Sequence, residues 1–334
     1  MSEDVSQAFD AESRSSSAAI ADPIDLALIR ELQANGRATY AELAAAAGVT
    51  EKTAHRRVGR LIADEVVRIA AVTDPAVLGY TAAALLGIRL TPGSRAADLV
   101  ERLKSLERVD YIVTTSGRFP VQVEVVCRDE SELAALVDDT IRVMPGVRDI
   151  DLLPYLRLHY QQARFHAGEL TRLSGVRPRA LDDLDRNIVE QFALNGRAAF
   201  VEVAARIGVS QVKLRQRFQR LIDSNTMKVM AIVNPLQLGL SAVAWVEIKV
   251  DQGHRVEEIA ETLTTQPSVS YLALTFGRCD ILVEVVCADK EELNVLLNER
   301  LRFVPGVGEF TVSQYFDLVY KPLLPPQPAT PVTR

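Results

Sequence analysis

The sequence predicts an α+β fold in which a small helical domain and a βαββαβ sheet domain each occur twice. The first observation is a repeat: Gly48 to Asp64, GVTEKTAHRRVGRLIAD, recurs 160 residues later without an insertion as Gly208 to Ser224, GVSQVKLRQRFQRLIDS. The second is that the repeat continues downstream, since Glu124 to Cys127 and Glu284 to Cys287 both read EVVC. The third is a change in the apolar period from about Gly79. A gapless repeat of this length indicates an internal duplication.

Composition indicates globular domains. The chain has 334 residues, of which 48% are hydrophobic, and this predicts two or three domains with buried cores. No apolar run reaches the length of about 18 residues that a membrane span needs, and the acidic, serine-rich start does not resemble a signal peptide, so we expect a cytoplasmic protein without membrane contact. Cys127, Cys279 and Cys287 lack metal-ligand spacing and are interpreted as reduced, buried thiols. No metal and no cofactor is predicted.

The helical domain of copy one is predicted at residues 22–77. Its first helix runs from about Ile24 to Ala34 and ends at Asn35-Gly36, a favoured helix stop. A short alanine-rich helix, Ala41 to Ala47, then leads into the turn at Gly48.

The next helix begins after Thr50 in copy one and after Ser210 in copy two, because each hydroxyl can cap free backbone N–H groups. Its apolar residues have the i, i+4, i+7, i+8 spacing of one buried face. They are Ala54, Val58, Leu61 and Ile62 in copy one and Leu214, Phe218, Leu221 and Ile222 in copy two. The opposite face is basic. Helix, glycine turn and basic helix form the helix-turn-helix plan, whose second helix enters the major groove of double-stranded DNA.

The alternative is that these are ordinary core helices with a solvated charged face. Two observations favour DNA binding. Arg occurs at 57 and 217, and again at 60 and 220, while neighbouring exposed positions differ. Positive charge is also concentrated here: a chain of net charge −6 has five basic and three acidic residues from Thr50 to Arg68, and five and one from Ser210 to Lys228. An acidic remainder would suppress indiscriminate DNA binding.

The predicted DNA contacts lie on the exposed faces of these two helices. They are Thr50, Lys52, Thr53, His55, Arg56, Arg57 and Arg60 in copy one, and Ser210, Lys213, Arg215, Gln216, Arg217 and Arg220 in copy two. Arg60 and Arg220 lie further along the helix and are expected to meet phosphates. Because Gln216 stands where copy one has Arg56, the two half-sites are expected to differ in sequence.

A β-ribbon, the wing that commonly flanks such a domain, is predicted at Val66 to Pro75. The sheet domain follows at residues 78–160. Its strands are predicted at Tyr80 to Leu90, Arg108 to Ser116, Val121 to Arg128 and Arg148 to Leu158, and its helices at Ser94 to Ser105 and Glu130 to Arg142. This order is that of the ferredoxin-like sandwich, in which two helices cover one face of an antiparallel sheet. Since the other face needs a partner, the sheet domains are expected to pair.

Three segments lie outside the predicted domains. Residues 1–21 have the composition of a disordered tail. Residues 161–180 carry four Arg and one Glu and are interpreted as a basic linker. Residues 321–334 are rich in proline and are expected to form an extended, unpacked tail. Copy two repeats the helical domain at 181–237 and the sheet domain at 238–320.

With these motifs in place, the chain resembles two fused members of the Lrp/AsnC (leucine-responsive, or feast/famine) family of transcriptional regulators. The resemblance covers about residues 22–160 and 182–320. It rests on HRRVGRLI and LRQRFQRLI in the basic helix, AVTDPAVLGY and AIVNPLQLGL at the domain junction, the glycine loops at Gly117 and Gly277, and PGV before the last strand. It implies a regulator that binds DNA as a dimer or larger ring, binds an amino acid between paired effector domains, and forms homo-oligomers through those domains. The pairing is expected either within one chain or between chains.

The resemblance carries the effector site over only in part. The family's hairpin loop reads roughly Gly-x-x-Asp, which copy two matches with Gly277, Arg278 and Asp280, whereas copy one has Pro120 in place of the acid. The family also favours Thr after PGV, present here as Thr311. A glycine loop lets backbone N–H groups approach a ligand carboxylate, and a nearby Asp can pair with its ammonium group. We therefore hypothesise one competent effector pocket around copy two; the alternative is that both loops are plain hairpin turns.

Two other functions are compatible with this architecture. Siroheme decarboxylases resemble it, and they carry histidines near the second effector-domain strand and its hairpin, where this chain has none. Its four histidines are scattered instead: His55, His159, His166 and His254. The chain could also be an architectural DNA-binding protein without an effector, which salt-dependent binding that ignores amino acids would indicate.

Overall fold

The computed structural model describes residues 22–161 and 181–326. The predicted disordered tail, the predicted linker beyond residue 161, and residues 327–334 lie outside the described residues. Both sheet domains have the predicted order of strand, helix, strand, strand, helix, strand.

Copy one contains six helices and five strands among its described residues. They are α1 Pro23–Ala34, α2 Tyr40–Ala47, α3 Glu51–Ala63, β1 Val67–Val72, α4 Pro75–Leu78, β2 Ala82–Leu90, α5 Ala96–Lys104, β3 Val109–Thr115, β4 Val121–Cys127, α6 Glu130–Ala135 and β5 Val147–Gln161. Helix α6 continues as a π-helical segment over Leu136–Ile141.

Copy two repeats this series. Its elements are α7 Asp183–Leu194, α8 Phe200–Arg206, α9 Gln211–Asp223, β6 Lys228–Val233, a 3₁₀ turn Pro235–Leu238, β7 Ala242–Val250, α10 Val256–Leu263, β8 Val269–Thr275, β9 Ile281–Cys287, α11 Lys290–Val295 and β10 Val307–Tyr320. Helix α11 continues as a π-helical segment over Leu296–Arg300 and a 3₁₀ turn over Leu301–Phe303.

Short polar side chains determine where the helices of copy one begin. Helix α1 follows Asp22, whose carboxylate accepts a backbone N–H, and α2 follows Thr39, which forms a capping box with Glu42. Helix α3 follows Thr50, as predicted. Its apolar face is buried at Ala54, Val58 and Leu61. Ile62 is 41% exposed, contrary to the prediction, because at 3.6 residues per turn it stands at the edge of that face.

The predicted wing is wrong. Strand β1 does not fold back on its own domain; it pairs antiparallel with β6 of copy two, in a register that sets Val67 opposite Val233 and Val72 opposite Lys228. The loops after the first helices complete this joint: the Gly36 N–H donates to the Val229 carbonyl, and the Gly196 N–H donates to the Ile69 carbonyl, each at 2.9 Å. One apolar core then runs through both helical domains. A single exposed strand edge needs a partner, and the equivalent edge of the second copy supplies it.

The two sheet domains pair within the chain, which answers the question the sequence leaves open. Their sheets have the strand orders β3-β4-β2-β5 and β8-β9-β7-β10, and they close into one barrel because β5 also pairs with β8 and β10 also pairs with β3. The ladders are irregular where the strands pass between sheets, at Tyr155 to Arg157 and at Tyr315 to Asp317. The helices cover the outside, and a separate apolar core fills the barrel between the sheets.

The prediction of an unpacked C-terminal tail is wrong for residues 321–326. The Lys321 N–H donates to the Asp110 carbonyl, and the Tyr80 hydroxyl donates to the Leu324 carbonyl, both at 2.7 Å. Leu323 packs against the core of the helical domains, and Pro325 is buried. The segment after β10 thus returns to copy one and ties the end of the barrel to the helical domains.

Candidate DNA-binding surface and effector site

The recognition helices, α3 and α9, are held at their N-termini by the predicted hydroxyl caps. The Thr50 hydroxyl accepts the Thr53 N–H, and the Ser210 hydroxyl accepts the Lys213 N–H, both at 3.2 Å. Beyond these caps, several of the predicted contact residues are exposed. They are Lys52, His55 and Arg56 in copy one and Lys213, Arg215 and Gln216 in copy two. Donor side chains of this kind suit contacts with phosphates and base edges.

Four of the predicted DNA contacts have carboxylate partners inside their own domain. Arg57 and Arg60 bind the buried Asp25, at 2.9 and 2.7 Å. In copy two Asp185 binds the equivalent pair, Arg217 and Arg220, at 3.1 and 2.7 Å. These ion pairs fasten each recognition helix to the first helix of its domain, so the arginines brace the helix. The sequence signal for this brace is the recurrence of Asp25 and Asp185 at the repeat offset.

The capping aspartates extend this brace. Asp22 lies 2.9 Å from Arg57, and Asp182 contacts Arg217 in the same way. The hydrogen bonds that Arg57 donates to Asp25 and to Asp22 raise the pKa of its guanidinium group. The residues that cap the first helix therefore also help to orient the third.

One exposed side chain on each recognition helix packs against an aromatic ring: His55 on α3 and Arg215 on α9. The His55 ring lies 4.5 Å from the Tyr40 ring, and the Arg215 guanidinium lies 4.8 Å from the Phe200 ring. Both rings stand at the first position of the preceding helix, α2 or α8. These two aromatic residues were not among the predicted contacts, although they occupy equivalent positions of the repeat.

In the hairpin of copy two, the predicted acid is bonded within its own domain. The Lys249 ammonium group donates to Asp280 at 3.1 Å, and the Val250 N–H donates to the other carboxylate oxygen at 2.9 Å. The same ammonium group donates to the Gly277 carbonyl at 2.9 Å. Asp280 therefore closes the β8–β9 hairpin onto β7.

Arg278 connects the two sheet domains. It donates to Glu247 of its own domain at 2.9 Å and to Asp151 of copy one at 2.5 Å. Burial lowers the pKa of Arg278, but the hydrogen bond that it donates to Glu247 and the charges of the nearby carboxylates outweigh burial, so the pKa is raised. Thr311 stands opposite Glu247 in the β10–β7 ladder. The four predicted effector residues therefore lie around one hairpin, together with Glu247 and Asp151, which the sequence analysis did not include in the site.

The hairpin of copy one is filled differently. Phe119 is only 2% exposed, and its ring lies so close to Gly87 that a Cβ there would stand 2.6 Å from it. Copy two has Cys279 and Glu247 at these positions. A phenyl ring in copy one thus occupies the place where copy two holds a carboxylate.

The barrel interior holds two glutamates that were not among the predicted site residues. Glu124 accepts hydrogen bonds from the Tyr155 and Tyr271 hydroxyls at 2.6 and 2.7 Å, so one tyrosine comes from each copy. Glu284 accepts likewise from Tyr111 and Tyr315, at 2.6 and 2.8 Å. Burial raises the pKa of Glu124. The available signal was a Glu inside the apolar EVVC strand, since a buried carboxylate needs partners.

The two glutamates differ in their third neighbour. Ser270 donates to Glu284 at 2.6 Å, whereas the equivalent residue beside Glu124 is Asp110. Burial and then the charge of Glu124 raise the pKa of Asp110 well above its usual range. The interior of the barrel is thus more acidic on the side of copy one.

Other predictions concern absent features. The three cysteines are free and buried, and burial raises the pKa of Cys279 to about 11. Within residues 22–161 and 181–326, no helix is long and apolar enough to cross a membrane. In the same ranges no three His, Cys, Asp or Glu side chains are grouped as metal ligands.

Known domains and relatives match the chain in both copies. The AsnC-type helix-turn-helix domain matches residues 22–62 and 181–222, and the Lrp/AsnC ligand binding domain matches residues 83–165 and 242–321. An uncharacterized HTH-type transcriptional regulator of Pyrococcus abyssi is 33% identical over 145 residues, which make up 43% of this chain and 91% of the relative. The HTH-type transcriptional regulator FL11 of Pyrococcus furiosus is 32% identical over 119 residues, 35% of this chain and 78% of its own.

Among solved structures, the siroheme decarboxylase NirDL is similar over 91% of this chain and 94% of its own, with a TM-score of 0.58 and 16% sequence identity. At this identity the similarity shows the shared fold alone. The matched domains occur twice each and together span most of the sequence. The chain belongs to the Lrp/AsnC family of transcriptional regulators, with two copies of the family's unit fused in one polypeptide.

Proposed function

We propose that a single chain does what a pair of regulator subunits does: it presents two unlike recognition helices to two unlike DNA half-sites. The observation that carries this proposal is the pairing of β1 with β6, which joins the two helical domains within one polypeptide. The closed barrel joins the sheet domains in the same way. One chain therefore fixes the positions of its two recognition helices relative to each other.

We assign the base and phosphate contacts to the exposed residues of the recognition helices. They are Thr50, Lys52, His55 and Arg56 in copy one and Ser210, Lys213, Arg215 and Gln216 in copy two. We add the half-buried Thr53, whose hydroxyl lies 2.9 Å from that of Thr50. We assign no base contact to Arg57 and Arg217, because they bind aspartates of their own domains. Arg60 keeps 58% of its side chain exposed and Arg220 keeps 38%, so these two can still meet a phosphate at the edge of the contact.

Selection of bound DNA from a random pool tests the proposal. We expect a bipartite motif whose halves differ, since Arg pairs with guanine and Gln with adenine in the major groove. The exchange variants Arg56→Gln and Gln216→Arg should make the two halves more alike, each at its own half-site. A perfect palindrome from the wild type would contradict two unlike readers, and no enrichment at low salt would contradict specific binding.

We further propose that the effector domains bind an amino acid or a related small metabolite at the copy-two hairpin. The ligand binding domain of the family matches there, and the hairpin joins both sheet domains through Arg278. Titration calorimetry with amino acids should give binding heat for the wild type that is lost in Asp280→Ala. Pro120→Ala, at the equivalent position of copy one, is the matched control and should keep the heat. Binding heat that survives in Asp280→Ala would remove Asp280 from the site.

The same titration separates the architectural alternative, because DNA binding that ignores every amino acid would leave the effector proposal without support. We do not propose an enzyme. The relatives reported above are named as regulators, and among the described side chains His55 lies on α3 and His254 in the loop before α10. A tetrapyrrole absorbance band in the purified protein would overturn this choice.

We also propose that the chain forms homo-oligomers and acts in the cytoplasm. Phe276, Phe303 and Phe316 of the sheet domain of copy two are 72%, 76% and 70% exposed. Aromatic side chains such as Phe are enriched at protein–protein interfaces. Light scattering of the purified chain should give a mass above that of one chain, and Phe316→Ser should lower it.

A further inference from the structure

Arg37 leaves its own domain and contacts the opposite one. Its guanidinium group donates to the carbonyls of Gly196 and Ala198 of copy two, at 2.6 and 3.1 Å. It also lies over the Phe200 ring, 4.6 Å from the ring centroid. The same ring carries the guanidinium group of Arg215, a residue of the recognition helix α9, at 4.8 Å. A continuous series of contacts thus connects the loop after α1 with the recognition helix of copy two.

The equivalent residue of copy two, Arg197, contacts the helical domain of copy one. The Arg197 guanidinium group donates to the Gly36 carbonyl at 3.0 Å and lies 5.0 Å from the Tyr40 ring. That ring packs against His55 of the recognition helix α3, at 4.5 Å. Each recognition helix is therefore supported by an aromatic residue that an arginine of the opposite domain holds.

The backbone at Arg37 and Arg197 is held in place because the glycine before each arginine packs closely against the opposite domain. A Cβ at Gly36 would stand 2.8 Å from the Met230 backbone nitrogen, and one at Gly196 would stand 3.0 Å from the Ala70 backbone nitrogen. Each glycine lets its loop lie against the strand of the opposite domain. Because the arginine is the next residue, its side chain begins at a fixed distance from the ring it covers.

Charge neutralisation does not explain these side chains. Within the described ranges neither Arg37 nor Arg197 forms an ion pair with a carboxylate, and their partners are carbonyl oxygens and ring faces. Burial, and then repulsion from Arg197 and Arg215, lower the pKa of Arg37. A planar guanidinium group that donates sideways while it stacks defines an orientation, which an ammonium group cannot do.

We infer that Arg37 and Arg197 are crossed positioning residues, each of which orients the recognition helix of the opposite domain. This inference rests on the proposed function. It predicts that a substitution in copy one changes how copy two reads its half-site, and the reverse. An ordinary interface residue would instead weaken both half-sites alike, and a direct DNA contact would affect the half-site of its own domain.

The two directions are unequal. Arg37 lies over three phenyl rings, those of Phe192, Phe200 and Phe218, and the Phe218 ring packs edge to face against the other two. Copy one has Leu32 and Val58 where copy two has Phe192 and Phe218, so among the described residues the Tyr40 ring is the one aromatic ring that the Arg197 guanidinium group covers. We expect the loss of Arg37 to have the larger effect.

The test measures discrimination, the ratio of the affinity for a matched half-site to that for a substituted one, separately for each half of the selected motif. The full chain is used, and each half is assigned to its domain by the exchange variants Arg56→Gln and Gln216→Arg. Arg37→Ala should lower discrimination at the copy-two half-site by about tenfold, as the loss of a stacked cation and its hydrogen bonds implies. Its discrimination at the copy-one half-site should stay within about twofold, the scatter expected of an uncoupled site.

Arg197→Ala should show the reverse pattern with a smaller loss. Arg30→Ala, which removes an exposed positive charge from α1, is the matched control and should leave both ratios unchanged. Arg37→Lys keeps the charge and guards against a folding failure of the alanine variant. It should still lose discrimination at the copy-two half-site, whereas a phosphate contact would be rescued by lysine.

Equal losses at both half-sites, a loss at the variant's own half-site, or full rescue by lysine would each overturn the inference. Failure of the proposed function looks different, since the wild type would then select no bipartite motif. Thermal unfolding of each variant accompanies the binding data. A variant that unfolds like the wild type and still shows the crossed loss supports a positioning role.

Discussion

The two helical domains hold their recognition helices in the same way but present different side chains. Both use a buried aspartate, Asp25 or Asp185, that binds two arginines of the recognition helix. Both send an arginine to the opposite domain. On the exposed surface, however, copy one has Arg56 where copy two has Gln216. In a homodimer the same residues form both recognition helices. A fused chain can keep the contacts between its two copies and still vary the residues of each recognition helix separately.

The sheet domains show the same contrast. Both place a glutamate under two tyrosines inside the barrel, and the partners are equivalent. The hairpins at the rim differ, since Phe119 covers Gly87 in copy one while copy two has Cys279 and Glu247 there. The tyrosine–glutamate contacts that join the copies inside the barrel are repeated, whereas residues near the candidate effector site have diverged.

The largest expected effect breaks the joint that both copies share. A Cβ at Gly36 meets the backbone of Met230, which cannot move without opening the β1–β6 pair. Gly36→Ala should therefore lower the free energy of unfolding by about 3 kcal/mol, the upper part of the range for overpacking. Gly196→Ala should do nearly the same from the other side. Gly59→Ala is the matched control, because Gly59, like Gly36, does not have a positive φ and its added methyl meets open space. Urea denaturation measures all three, and a loss in Gly36→Ala no larger than in Gly59→Ala would contradict the joint.

The next effect sharpens the contrast between the hairpins. Gly87→Ala should cost about 2 kcal/mol, because the new methyl overlaps the buried Phe119 ring. Phe119→Cys, which introduces the copy-two residue, should cost a similar amount by leaving a cavity. The double variant should lose less than the sum of the two, with a coupling of about 1 kcal/mol or more. Additive losses in urea denaturation would show that the two positions do not share one space.

A third effect concerns the acid that distinguishes the barrel's two sides. The pKa of Asp110 is raised in the folded protein, so its penalty is absent below its ordinary pKa and grows as the pH rises towards the folded pKa. Asp110→Ser copies Ser270 and should match the wild type near pH 4. Near pH 7 it should be more stable than the wild type, because burial and the charge of Glu124 penalise the Asp110 carboxylate there, whereas serine carries no charge.

Thermal unfolding across this pH range measures the difference. Asp98→Ser, on the exposed face of α5, is the matched control for removal of one carboxylate. A gain for Asp110→Ser that does not change with pH would contradict a titrating Asp110.

The smallest effect separates the starts of two equivalent helices. Thr39 caps α2 with a capping box, whereas Ala199 before α8 makes no side-chain cap. Thr39→Ala should cost about 1 kcal/mol, and Ala199→Thr should gain about 0.5 kcal/mol. Urea denaturation of the two single variants tests this. Equal and negligible changes would show that packing, and not the cap, determines where these helices begin.

Much of each copy could be predicted from the sequence because the signals are local. Caps at Thr50 and Ser210 and an apolar stripe one helical turn apart identify the recognition helices, and alternating apolar residues identify the strands. The repeat located the equivalent residues of the two copies. The wing at Val66 to Pro75 failed for a related reason: its strand was recognised, but the partner of a strand is not written in the strand.

By itself, then, the sequence determined the elements, their order, the duplication and the exposed basic face. Only the tertiary structure decided which residues meet: that β1 pairs with β6, that Arg57 binds Asp25, and that Arg37 reaches Phe200. The physical reason is that periodicity and capping act over a few neighbouring residues, whereas these contacts join residues that are 32 to 166 positions apart and depend on how whole domains pack. An arginine on an exposed helical face looks the same in the sequence whether its partner is a phosphate or a distant aspartate.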